Sequence, residues 1–336
     1  MKICVTHTAN GIESLEIKEV ASPGPLAAGQ VRIAMKAASI NYRDTLAISG
    51  VLGKPGPDGL IPCSDGAGEI IEIAPDVRRV KVGDRVALAF TPDWIGGPWQ
   101  PSAAAVGRGS VVVPGVMQEE IVVHNSEVVH LPEHLSFEEG ATLPCAAVTA
   151  WSALCVPAPL MPGMSVLLEG AGGVAVHGLQ LAKLFGARVI MTTSSAEREA
   201  RLRALGADEV INYRENPDWH LKVRELTGGM GVDVGVDIGG ADTLDKTIAS
   251  TCLGGRVALV GLLTGWPEST SKLFSAGVEF NSIKVGSRYD FEMMNRAIAF
   301  HKVHPVIDSR FAFDQIREAL NHLKSGRQFG KIVINF

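Results

Sequence analysis

The 336-residue sequence has no apolar stretch approaching the roughly 20 residues needed to cross a bilayer, so no helical membrane span is expected. It has no lysine- or arginine-rich run, and its formal net charge is −5. Neither a nucleic acid nor an anionic membrane surface is therefore an expected partner. Cysteines number only five, scattered and odd in count, which argues against a disulfide framework and for a reducing, cytoplasmic setting. The opening stretch MKICVTHTANG has one lysine and a short alternating segment, the pattern of a strand rather than of a secretory leader. What is present is ordinary for a globular chain: 46% hydrophobic and 20% charged residues. The length exceeds one comfortable hydrophobic core, so two domains are expected.

The first third reads as β-structure. QVRIAMKAASI alternates, GAGEIIEIAPDV and GDRVALAF are short β-branched runs, and Gly, Pro and Asp punctuate them, which suggests a small barrel or sandwich. From about Leu143 the pattern changes. SVLLEG, ARVIMTT, ADEVINY, VDVGVDIGG and GRVALVGLL are continuous apolar runs, as expected of strands buried on both faces. Helical patterns such as GVAVHGLQLAKLFG and AEREARLRALG lie among them, each ending at a glycine suited to a C-cap. Strand alternating with helix in this way predicts a parallel α/β sheet. The C-terminal segment from Phe291 mixes two helices with final strands and need not belong to that sheet.

The turn Gly170-Ala171-Gly172-Gly173-Val174-Ala175 follows a buried strand and opens a helix, the context that a dinucleotide fingerprint requires. Glycines let the backbone approach a pyrophosphate, which then meets free N–H groups and the positive helix end. The next strand ends at Thr193, followed by Ser194 and Ser195. An NAD site usually places Asp or Glu there to bond the ribose hydroxyls. With no carboxylate to repel a 2′-phosphate, and with Arg198 available as a cation, NADP(H) is favoured over the alternative, NAD(H). The same serines also suit plain helix capping.

GAGE, VGDRV, LPCAAVTAW and GAGGV, in this order, together with INYRD, CSDGAGE, GADEVINY and FGKIVI, resemble a medium-chain dehydrogenase/reductase, in particular the zinc-independent branch that includes quinone oxidoreductases. The resemblance spans essentially the whole chain. It implies an α/β architecture: a GroES-like β-barrel catalytic domain over residues 1–148 and 288–336, and a Rossmann doubly wound sheet over 149–287. It also implies an active site in the cleft and a homodimer or homotetramer. Zinc-dependent members carry cysteine where this chain has Asn41, histidine where it has Ser64, and often cysteine at Cys145; only the last is kept. One thiolate beside neutral Asn and Ser does not supply three ligands, and TPDWIGGPWQPSAAAVGRGS lacks the structural-zinc cysteines, so no metal is expected. Cys63 and Cys145 then read as small buried residues, with a reactive thiol as the alternative.

Without a metal, hydrogen-bond donors must receive the charge that develops on a substrate oxygen during hydride transfer. Asn41, Tyr42, Arg43 and Asp44 offer an amide, a phenol, a guanidinium and a carboxylate in one turn. Asn41 is expected to face substrate or the nicotinamide ribose, and Tyr42 is a candidate proton donor. Asp44 is either an orienting group or a helix N-terminal carboxylate. Arg43, Trp94 and Arg288 are expected around the substrate. By the resemblance, Thr149, the loop at Gly261 and Leu262, and Lys331 join the cofactor contacts, Lys331 as a point charge for the pyrophosphate. None of the scattered histidines shows metal-ligand spacing. Such a site suits an acceptor that is already electrophilic, a quinone or an α,β-unsaturated carbonyl. Alcohol, aldehyde or ketone chemistry is the alternative, and a non-catalytic NADPH-binding protein the second.

Overall fold

The computed structural model describes residues 1–56, 59–102, 107–265 and 276–336. They divide into two compact units: Met1–Val148 with Gly286–Phe336, and Thr149–Val285, which is inserted between those segments.

In the first unit, β1 (Lys2–Val5) pairs antiparallel with β2 (Glu16–Glu19). The alternating segment becomes β3 (Gln30–Ile40), the eleven-residue spine of the larger sheet. Polar Asn41 then caps α1 (Tyr42–Ile48). β4 (Asp65–Ile73), β5 (Arg85–Leu88), β6 (Glu120–His124) and β7 (Val128–His130) follow, the last leading to the short helix α2 (Phe137–Ala141). β3 lies between β4 and two strands on its other edge. β6 pairs with its first half, and the C-terminal strand Lys331–Asn335 pairs with its last four residues. Inward positions such as Val31, Ile33, Ile40, Ile70, Val86 and Ile332 are essentially fully buried. Each contributes roughly 1.5–3 kcal/mol of burial energy.

This register fixes a corner. Ser39 stands opposite Asp65, and Ile40 opposite Ile332. The end of β3, the start of β4 and the start of the C-terminal strand therefore meet where Asn41 leaves the sheet. The C-terminal segment thus belongs with this unit. Its helices run Arg288–His301 and Ile316–Lys324, and the strand Ile307–Ala312 pairs parallel with Lys331–Asn335.

The second unit opens with α3 (Val148–Cys155) and then alternates. The order is β8 (Ser165–Glu169), α4 (Gly173–Leu184), β9 (Arg188–Thr193), α5 (Ala196–Ala204), β10 (Glu209–Asn212), α6 (Trp219–Leu226), β11 (Val232–Asp237), α7 (Leu244–Ser250), β12 (Thr251–Leu259) and β13 (Glu279–Ser282). All six strands are parallel, in the spatial order β10-β9-β8-β11-β12-β13. Counted from β8 this is 3-2-1-4-5-6, the doubly wound dinucleotide-binding order, with its switch point between β8 and β11. Both expected glycine stops are left-handed, Gly186 at φ +70° and Gly206 at φ +102°. No helix among the described residues is long and apolar enough to cross a membrane.

Candidate active site

β8 ends at Glu169, and Gly170 turns the chain at φ +79°, a conformation that disfavours a side chain. Its N–H bonds the Thr192 carbonyl at 3.0 Å, which pins the turn to the neighbouring strand. Gly172, the N-cap of α4, is a different case. Its φ of −80° is open to any residue, and an added Cβ would meet nothing within 4 Å. The fold does not need glycine there, which leaves close approach of a ligand as the physical reason. Gly173 and Val174 begin a helix with no acidic residue in its first turn. Its leading N–H groups and positive end suit a pyrophosphate. At Gly178 a Cβ would come within 2.9 Å of Leu168, so this glycine serves helix-on-strand packing. The turn fits a dinucleotide.

At the end of β9 the hydroxyls divide. Thr193 is buried and its Oγ1 has no partner among the described residues. Ser195 caps α5, its Oγ accepting from Arg198 N at 3.3 Å, and Arg198 Nη1 donates to Ser194 Oγ at 3.5 Å. The capping role is therefore realised, and it gathers Ser194, Ser195 and Arg198 at one helix start. Two acids, Glu197 and Glu199, share that turn, the second paired with Arg203 at 3.1 Å.

The loops after β11 and β12 are knitted together. Gly261 N donates to Asp237 O at 3.3 Å, and a Cβ on Gly261 would come within 2.1 Å of Ile238 O. Gly261 therefore has a structural reason of its own. Its N–H is used within the fold, and its missing side chain makes room for a neighbouring loop. Leu262 beside it is exposed, and Thr149 is buried in the first turn of α3.

Sequence reasoning missed a pair of carboxylates at the switch point. Glu169 Oε2 accepts from the N–H groups of Ile238 (3.0 Å) and Gly239 (3.1 Å), while Oε1 accepts from Thr247 Oγ1 at 2.5 Å. Asp237 accepts from Gly240 N at 2.9 Å and Thr243 Oγ1 at 2.9 Å, and lies 3.2 Å from the same Thr247 hydroxyl. No cation of the described residues is among the groups acting on either acid. Burial and the charge of Asp237 push Glu169 up to about 7. The signal was available in the sequence: VLLEG and VGVDIGG each end an apolar strand on an acid.

In the first unit, Asn41 is half-buried and both ends of its amide are engaged. Lys331 Nζ donates to Asn41 Oδ1 at 2.5 Å and to Ile40 O at 2.9 Å, and lies 3.8 Å from Asp65 Oδ2. Asn41 Nδ2 donates to Ser64 Oγ at 3.3 Å, and Ser64 Oγ donates to Asp65 Oδ1 at 2.7 Å. Asp65 Oδ2 also accepts from Cys145 N at 3.2 Å, within a π-helical turn over Leu143–Ala147. Asp65 and Ser64 are fully buried and Lys331 is 2% exposed. Burial pushes the Asp65 carboxyl up while Lys331 draws it back. Lys331 is therefore not a solvated cation; it is buried in this cluster. Asp44, also fully buried, accepts from Asn41 N at 2.8 Å, the helix-capping role. Burial raises the Cys63 and Cys145 thiols, which keeps them in the unreactive protonated form.

Residues 27–133 match the alcohol dehydrogenase GroES-like domain family, and residues 173–300 match the zinc-binding dehydrogenase family. A zinc-type alcohol dehydrogenase-like protein of Schizosaccharomyces pombe is 34% identical over 342 residues, covering 99% of either chain. The chain is a medium-chain dehydrogenase/reductase. Among solved structures, an NAD-dependent alcohol dehydrogenase superposes with a TM-score of 0.90 at 32% identity over 100% of both chains. A quinone oxidoreductase of Pseudomonas syringae superposes at 0.84 and 26% identity, over 100% of this chain and 99% of that one. This medium-chain dehydrogenase/reductase is accordingly an oxidoreductase.

The remaining expected residues of this medium-chain dehydrogenase/reductase separate from the amide cluster. Tyr42 is 45% exposed at the first position of α1. Arg43 turns inward, donating to Arg108 O at 2.7 Å and pairing with Asp44 at 3.1 Å, with its guanidinium over the Phe90 ring. Arg288 donates to Ser126 O at 3.0 Å and pairs with Glu292 at 3.4 Å. Both arginines hold loop carbonyls of the first unit. Trp94 is half-buried, with its indole N–H on Gly97 O at 2.9 Å.

Proposed function

We propose that the chain is a zinc-independent, NADPH-dependent reductase of quinones or α,β-unsaturated carbonyls. The observation that carries this reading is the Asn41 cluster, in which a neutral amide stands beside a buried ammonium. Asn41 Nδ2 has two hydrogens: Ser64 takes one, and the other interacts with Asp65, from which a substrate oxygen would draw it. A donor of this kind supplies roughly 3 kcal/mol to a developing oxyanion. That is enough where conjugation already spreads the charge, and less adequate for an isolated ketone. A bound reduced nicotinamide would supply the hydride. Gly170, Gly172, Gly173 and Val174 would hold its pyrophosphate, with Thr149 and Leu262 near its nicotinamide end. Ser194, Ser195 and Arg198 would hold the 2′-phosphate. Tyr42, exposed on the same turn as Asn41, is the candidate to pass the final proton, and Trp94 the candidate apolar wall.

The donor set of the cluster does not suit zinc. A catalytic zinc needs three protein ligands with an open position. Here Asn41 and Ser64 are neutral, Asp65 has its oxygens occupied by Ser64 and by the Cys145 N–H, and the cation's place beside them belongs to Lys331. The alternative, NAD(P)-dependent alcohol dehydrogenase or carbonyl reductase chemistry, draws on the alcohol dehydrogenase relatives. A cytoplasmic homodimer or homotetramer, with residues 1–148 and 288–336 as catalytic domain and 149–287 as cofactor domain, completes the reading.

The test is an acceptor screen that follows NADPH consumption with a chelator present throughout. Turnover of enones or quinones is the expected result. Rapid oxidation of simple alcohols with no turnover of any enone or quinone would overturn the proposal.

A further inference from the structure

We propose that Lys331 is the positioning residue of the Asn41 amide: it forces the amide to present N–H, and never its oxygen, to the substrate. This rests on the reading of Asn41 as the donor to a substrate oxygen and adds the device that makes it one.

A primary amide has two faces of opposite character, one oxygen that accepts and one NH2 that donates. Exchanging them takes a half-turn about one bond, so an asparagine at an active site does not inherently know which face to show. Lys331 removes the choice. Its ammonium has three hydrogens and no lone pair, it lies 2.5 Å from Asn41 Oδ1, and it is almost wholly shielded from water. Turning the amide would set an NH2 against an NH3⁺, losing a charge-assisted bond and leaving a buried donor unmatched.

The other side of the amide agrees. Ser64 donates its only hydrogen to Asp65 at 2.7 Å, so its oxygen must accept, and what lies 3.3 Å from that oxygen is Asn41 Nδ2. Asp65 takes a further bond from Cys145 N, and its negative charge lies 3.8 Å from the ammonium. Bond directions around the ring Lys331–Asn41–Ser64–Asp65 therefore have one consistent assignment. Two hydrogens of the ring lack a short bond: the third on Lys331 Nζ, whose nitrogen lies 3.8 Å from Asp65, and the second on Asn41 Nδ2, which interacts with Asp65 and would turn to a substrate oxygen. The ammonium also draws electron density toward Oδ1, which makes that remaining N–H a stronger donor.

The experiment uses the full chain and compares wild type with Lys331→Met, Asn41→Ala and the double variant, reading enone or quinone reduction with NADPH. NADPH Kd and Tm are recorded in parallel. Each single change is expected to lower kcat at least 30-fold while NADPH Kd stays within twofold, and the double variant is expected to lose no more than the worse single one. A merely structural lysine would instead give losses that multiply. Multiplying losses, or a K331M kcat within threefold of wild type, would overturn the inference. If K331M does not fold, the charge-balanced pair D65N/K331M replaces it. Should wild type reduce no acceptor at all, the proposed function fails, yet Lys331 remains testable. The side-chain NH2 resonances of Asn41, assigned by their loss in N41A, are expected to shift on K331M, and unshifted resonances would overturn the inference.

Discussion

Asn41 and Glu169 show how far a single residue could be read from its neighbours. The capping bond between Asn41 and Asp44 is a three-residue affair, and an Asn-x-x-Asp start is visible in the sequence. What Asn41 does with its amide is not visible there, because the group that decides it lies 290 residues away. The resemblance places Lys331 among the cofactor contacts, and its bond to the Asn41 amide is not legible from the sequence around it. Glu169 gives a pH prediction. Its ordinary value is 4.5 and the folded protein holds it at about 7. The folded state therefore binds the extra proton between those values. The resulting stabilisation is full below pH 4.5 and is lost as pH rises through about 7. Glu169→Gln, which keeps a proton donor at that position, should show a flatter profile, with its Tm gaining on wild type by a few degrees between pH 5 and pH 8. Parallel Tm curves for the two proteins would contradict the raised Glu169 value.

At the scale of elements, the parallel strands were legible because burial on both faces leaves no room for alternation. SVLLEG and ARVIMTT announced β8 and β9 to within a residue. The glycine turn was legible for the same local reason, and Gly172 within it carries a specific expectation. Gly172→Ala should leave Tm within a degree or two of wild type, since the added methyl meets open space. It should also raise the NADPH Kd at least tenfold, measured by fluorescence titration. At the start of α5, Ser195→Ala should cost about 1 kcal/mol through loss of the cap, read as a lower Tm. Arg198→Ala should weaken NADPH about tenfold while NADH changes less than twofold; equal losses for both cofactors would remove the 2′-phosphate role. The knitted loops were not legible. Gly261 is fixed by the carbonyl of Ile238, a neighbour that only the pairing of β11 with β12 supplies.

For the whole molecule, the α/β class with a barrel-like first part followed from composition and pattern, and the register at the corner of β3 did not. Relatives with zinc in their names make the metal a matter for direct measurement. Dialysis against a chelator should leave both Tm and turnover unchanged, and elemental analysis should find less than about 0.1 zinc per chain; stoichiometric zinc with chelator-sensitive turnover would be the contrary result. The corner also has a consequence for biosynthesis. Its acid and its amide are made early, while its base arrives only after the whole of Thr149–Val285 has been translated. Until then β3 has an unoccupied edge at Ala37–Ile40, and Asp65 has no counter-ion beside it. The first-made unit is thus completed last, its assembly waiting on a contact that spans most of the chain, and that is the step at which a slow or stalled ribosome would leave the protein most exposed to misassembly.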